Sequence, residues 1–129
     1  FHLTSVGYRQ SKDGFIDADY EKTKEIVDFQ EKIISLINPL REGAIRARDK
    51  ARLSEMSKSQ QNNIIAYGYR GVGADFVPHL TFTKTEKFNE SVLQGVEEAD
   101  FSFNAESIGL FHLGDYGTCV ELIEDFKFS

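Results

Sequence analysis

Cysteine is nearly absent: Cys119 stands alone among 129 residues, which excludes an intrachain disulfide. No apolar run approaches the length of a membrane span, and no signal-peptide pattern is present. Basic residues are outnumbered 15 to 21, leaving a net charge of −6 that favours solubility. There are only two prolines, and both sit at boundaries: Pro39 ends a helical pattern and Pro78 opens a strand-like one. Low-complexity segments and solenoid repeats are missing. The glycine-rich stretch Tyr67-Gly68-Tyr69-Arg70-Gly71-Val72-Gly73 is not a P-loop, because no Gly-Lys-Ser/Thr follows it. Histidines at 2, 79 and 112 make no metal-ligand spacing. These absences place the chain among ordinary cytoplasmic globular proteins. It reads as one domain over residues 1–129, with 40% hydrophobic residues and enough length to bury a core without disulfides or metal.

What is present is a mixed pattern. Residues 1–10 and 15–20 alternate around Ser11-Lys12-Asp13-Gly14, which predicts a β-hairpin. From about residue 21 to 38, Ile26, Phe29, Ile33, Leu36 and Ile37, with Leu40 beyond, recur at helical spacing and predict one apolar face. Residues 41–56 are charged and weakly periodic, a second helix or a mobile loop. Six basic residues (Arg41, Arg46, Arg48, Lys50, Arg52, Lys58) fall between positions 41 and 58 against three acidic ones. That segment is either a steering patch for a polyanion or a solvated face. Residues 60–67 predict a short helix capped by Ser57 or Ser59. Residues 89–96 predict another, capped by Asn89. Residues 101–113 and 118–128 predict a closing hairpin, turned by Gly114-Asp115-Tyr116-Gly117. Hairpins rather than β-α-β units make the expected class α+β with antiparallel sheets. Cys119, between strand-like apolar neighbours, is expected to be buried and inert.

The stretch with most chemistry is Pro78-His79-Leu80-Thr81-Phe82-Thr83. On a strand, His79 and Thr81 share one face while Leu80 and Phe82 share the other. One face can pack on a core. The other offers an imidazole that can move a proton and a hydroxyl able to bond a phosphate oxygen. Lys84 follows closely. Tyr67, Tyr69 and Arg70 lie upstream, as lining of a nucleotide pocket or as incidental exposed side chains. His2-Leu3-Thr4 repeats the tripeptide type. Two such strands face to face would put one His as base and one as acid across a phosphodiester, with the threonines on the non-bridging oxygens and no metal needed. The bland alternative is a strand whose polar face happens to carry His and Thr.

At Pro78-His79-Leu80-Thr81 the chain resembles the 2H phosphoesterase superfamily, which includes 2′-5′ RNA ligase-like proteins and cyclic nucleotide phosphodiesterases. Residues 76–83 look like that family's second His-x-Thr strand. Residues 103–114 followed by 118–128 look like its C-terminal hairpin. Asn38-Pro39-Leu40-Arg41-Glu42-Gly43 and Tyr67-Gly68-Tyr69 are similar to one branch. The resemblance implies a two-lobed α+β fold with antiparallel sheets, helices packed outside and a central cleft. It implies metal-independent, cofactor-free chemistry on 2′,3′-cyclic phosphates or 2′-5′ phosphodiesters. The partner would be an RNA end or small nucleotide. His79 would move the proton, Thr81 would bind the phosphate, and Tyr69 and Lys84 would contact substrate. The helix that follows the family's first His-x-Thr strand has no room after Thr4. Residues 1–5 therefore align with a later hairpin strand, His2 is a coincidence, and the first motif is expected upstream of Phe1. A non-catalytic nucleotide- or RNA-end-binding module of the same fold is the alternative.

Overall fold

A computed structural model describes residues 1–95 and 101–128. It is an α+β fold built from antiparallel pairings. β1 (His2–Leu3) and β2 (Ser5–Gln10) run on from one another, and β3 (Phe15–Tyr20) returns beside β2. The predicted hairpin forms, and Gly14 is the reason its turn closes. Gly14 takes φ +87°, donates its N–H to the Ser11 carbonyl at 2.9 Å, and leaves only 2.5 Å between the Thr85 carbonyl oxygen and the place a Cβ would occupy.

α1 (Lys24–Ile37) begins three residues later than the periodicity predicts. Thr23 caps it by accepting from the Ile26 N–H, while the Glu21 N–H still bonds the Thr4 carbonyl and holds residue 21 beside the first strands. Residues 41–56 resolve into two short pieces, α2 (Ala47–Ala51) and a 3-10 turn at Leu53–Glu55. α3 (Lys58–Tyr67) carries a full capping box: Ser57 accepts from the Gln60 N–H, and Gln60 reaches back to the Ser57 N–H. Ser59, the other expected cap, instead bonds Asp75 at 2.5 Å.

β4 (His79–Lys84) joins the far side of β3, giving the sheet order β2-β3-β4. β5 (Phe103–Asn104) pairs with β1. β6 (Ser107–Leu113) and β7 (Cys119–Lys127) form the closing hairpin. The expected single strand over 101–113 is thus broken at Ala105-Glu106, with its two halves in different sheets. The expected helix at 89–96 is not a helix over residues 89–95; Val96 lies outside the described residues. Asn89 accepts from the Ser91 N–H at 3.0 Å, but only two overlapping four-residue turns, 89–92 and 91–94, follow before Gly95 at φ +76°.

The core is thin. Among the described residues Ala18, Tyr20, Ile64 and Val72 are buried hydrophobic side chains, and Pro78 is buried as well. Around them, Tyr8, Phe82 and Phe101 pack ring to ring on the Ala18 side of the sheet, and Phe1, Phe29 and Phe128 form a second aromatic cluster against α1. Ile26, Phe29 and Ile33 of the predicted helical face are half-buried, but Leu36, Ile37 and Leu40 are exposed, Leu40 to 80%. Cys119 is exposed, against expectation, because no layer of the described residues lies over β7. The accessible surface is 9345 Å², against roughly 6,900 Å² for a compact monomer of this mass. Among the described residues no helix is long and apolar enough to cross a membrane.

Candidate functional site

Cross-strand partners share a sheet face, so register decides what surrounds His79 and Thr81. His79 stands opposite Asp19, and Thr81 opposite Asp17. On the other side of β3, Arg9 of β2 stands opposite Asp17. The polar face therefore carries His79, Thr81, Asp17, Asp19 and Arg9 together. The opposite face carries Tyr8, Ala18 and Leu80, as the alternation predicts, although Leu80 and Phe82 stay 47% and 44% exposed.

The His79 ring is oriented by its own strand entry. Its Nδ1 lies 2.7 Å from the Val77 carbonyl oxygen. A carbonyl only accepts, so Nδ1 is the donor, and in the neutral ring the lone pair is then on Nε2. The loop leading in is pinned from three sides. Gln30 donates to the Gly71 carbonyl, Lys22 donates to the Gly73 and Ala74 carbonyls, and Asn63 donates to the Arg70 and Val72 carbonyls. The glycine-rich stretch thus shapes the approach to β4.

Thr81 donates its hydroxyl to Asp17 Oδ1 at 2.6 Å. Asp17 is only 3% exposed, and its other oxygen meets Arg9 Nη2 at 3.0 Å. Arg9 also grips Asp19 through Nε at 2.9 Å and Nη2 at 3.1 Å. The Asp19 hydrogen bond above all raises the Arg9 guanidinium above its ordinary value; burial opposes it, and the charges of Asp19 and then Asp17 add to the rise. Asp17, Asp19 and Arg9 escaped the sequence reading. Their signal was the alternation Ile16-Asp17-Ala18-Asp19-Tyr20, which puts two carboxylates on one face of a strand otherwise built for the core.

Lys84 reaches the polar face through an irregularity. Asp17 pairs with Thr81 but Ile16 pairs with Thr83, so Phe82 is an extra residue on β4. This bulge reverses the alternation beyond it, and Lys84 lands opposite Phe15, on the Asp17 side. Its Nζ lies 5.6 Å from the Phe15 ring and 5.1 Å from the Tyr116 ring. Tyr69 is elsewhere: it sits on the 68–75 loop, folded over Gly71, with no hydrogen bond or ring contact to His79, Thr81 or Lys84 among the described residues. His2 lies on the β1–β5 pair and bonds Asn104 at 2.9 Å. His112 meets Glu121 at 3.1 Å on the closing hairpin.

In the basic segment, Arg46 pairs with Asp49, Arg52 pairs with Glu55, and Arg41 donates to the Ile65 and Ala66 carbonyls at the end of α3. Half of the expected patch is therefore spent on internal contacts. Two surface hollows, of about 250 and 370 Å³, are lined around Tyr8 and Phe88 and around Phe1 and Phe29; neither is lined by His79 or Thr81. Among the described residues no group of three His, Cys, Asp or Glu is placed to hold a metal ion. Comparison of the chain with protein-family models, with characterised proteins and with solved structures found no match.

Proposed function

We propose that this chain acts on a phosphodiester, a 2′,3′-cyclic phosphate or 2′-5′ linkage at an RNA end or in a small nucleotide, with His79 Nε2 as the proton-transfer atom. The observation that carries the reading is the bond from Nδ1 to the Val77 carbonyl, which leaves Nε2 for proton transfer on a residue that shares its strand face with Thr81. In hydrolysis of a cyclic phosphate, His79 takes a proton from water as the water oxygen bonds phosphorus and the bond from phosphorus to one sugar oxygen breaks; the departing oxygen takes its proton from solvent, to which His79 then releases the one it gained. Thr81 contributes once a phosphate oxygen replaces Asp17 as the acceptor of its hydroxyl. Arg9 then keeps the freed Asp17 charge compensated. The finer architecture belongs to the same proposal: two lobes, with the β6–β7 hairpin as the second wall of a cleft. Its tip packs on Phe15 and Lys84 through Tyr116, and its base packs on Phe1 and Phe29 through Phe128.

The test is hydrolysis of a nucleoside 2′,3′-cyclic phosphate in EDTA. His79→Ala is expected to lower kcat/KM at least about a hundredfold. His2→Ala is expected to leave it unchanged. Loss of activity in EDTA, or full activity of His79→Ala, overturns the reading.

A second reading is a binding module that holds the same ligand without turnover. It is favoured by the Thr81–Asp17 bond and by two carboxylates on the face where an anion must sit. Saturable nucleotide binding in calorimetry with no turnover would decide for it.

A further inference from the structure

We propose that Tyr116, Phe15 and Lys84 form a subsite for the neighbouring nucleotide. On this assignment the ligand is a short single-stranded oligoribonucleotide rather than a mononucleotide. The inference rests on the phosphodiester reading of His79 and deepens it.

Three independent features converge on this corner. Tyr116 is 70% exposed at the β6–β7 turn and holds φ +59°, ψ +12°, a left-handed conformation that bulky residues avoid. In that conformation the ring lies 6.3 Å from Phe15, edge to face at 68°. Lys84 sits against both rings, and among the described residues its one hydrogen bond is a long 3.5 Å contact to the Thr85 carbonyl. No carboxylate pairs with Lys84 among the described residues, so its charge faces the two rings and the Thr85 carbonyl. An aromatic platform with an uncompensated ammonium fits a base and its phosphate: the base stacks on the ring, and the ammonium turns to the phosphate oxygen.

Position fixes which nucleotide this is. The bulge at Phe82 puts Lys84 on the same face as Thr81, three residues further along β4. At about 3.3 Å per residue the two are on the order of 10 Å apart, one nucleotide unit rather than one phosphate group. The acidic hairpin limits the length. The chain's net charge of −6, with Glu121, Glu124 and Asp125 following along β7, opposes a long polyanion, so a few nucleotides at an RNA end are favoured over an extended strand.

The experiment titrates the full chain with fluorescein-labelled tetraadenylate ending in a 2′,3′-cyclic phosphate, and with adenosine 2′,3′-cyclic phosphate, in EDTA at several salt concentrations. The tetranucleotide is expected to bind tighter than the mononucleotide. Tyr116→Ala should weaken the tetranucleotide about ten- to a hundredfold and leave the mononucleotide unchanged; Tyr116→Phe should retain it. Lys84→Gln should weaken it and lower the salt slope by about one counterion. Equal binding of both ligands, or a tetranucleotide indifferent to Tyr116→Ala and Lys84→Gln, overturns the subsite even if His79→Ala abolishes turnover. If those variants weaken binding while His79→Ala leaves turnover untouched, the subsite stands and the catalytic reading falls.

Discussion

Asp17 shows how one buried carboxylate organises a polar face. It accepts from Thr81, pairs with Arg9, and is almost sealed from water. Asp17→Ala removes a charged acceptor from both partners and should cost about 2–3 kcal/mol in urea unfolding. The figure is held down because Arg9 is partly solvated and keeps Asp19. Asp17→Asn, which can still accept from Thr81, should cost less. Tyr20 makes the matching pH argument on the apolar face. Burial first, and the neighbouring Tyr8 second, raise its phenol above the ordinary value; its hydroxyl donates to the Phe101 carbonyl at 3.1 Å. A group whose folded pKa lies above its unfolded one gives full stability below the unfolded value and loses it as pH rises. Stability should therefore fall as pH climbs past about 10. Tyr20→Phe should flatten that alkaline slope in denaturant titrations at high pH.

Among the elements, the β2–β3 hairpin and β4 depend on a single glycine. A side chain at Gly14 meets both an unfavourable positive φ and the Thr85 carbonyl, which itself belongs to the segment leaving β4. Gly14→Ala is expected to lower the unfolding free energy by about 1–2 kcal/mol or more, read as a lower urea midpoint. The bulge at Phe82 is the other decisive local feature. Strict alternation would send Lys84 to the Leu80 face, away from Thr81. One extra residue sends it to the other side, beside Tyr116.

For the molecule as a whole, part of the exposed apolar surface lies on the β6–β7 hairpin. Every residue of β7 is exposed, and Leu113, Val120, Leu122 and Phe126 are all more than half accessible. A two-stranded hairpin held at base and tip by aromatic contacts has little burial to protect its hydrogen bonds. In hydrogen-exchange measurements its amides should exchange well before those of β3, which carries Asp17, Ala18 and Tyr20 in the interior. Equal protection of the two would show that the hairpin is covered in solution.

Local signals in the sequence determined the elements whose causes are local. The Asp13-Gly14 turn, the amphipathic run of α1, the Ser57 capping box and the His-x-Thr alternation each depend on residues within a few positions of one another. Tertiary structure decided everything set by pairing partners distant in the chain. Register placed Asp17, Asp19 and Arg9 beside His79 and Thr81, and a bulge visible only against β3 reversed Lys84. Cys119 and the end of the helical face at Leu40 were read as buried because apolar patterning predicts which side could pack. Whether another layer lies there is a property of the assembled fold, and among the described residues it does not.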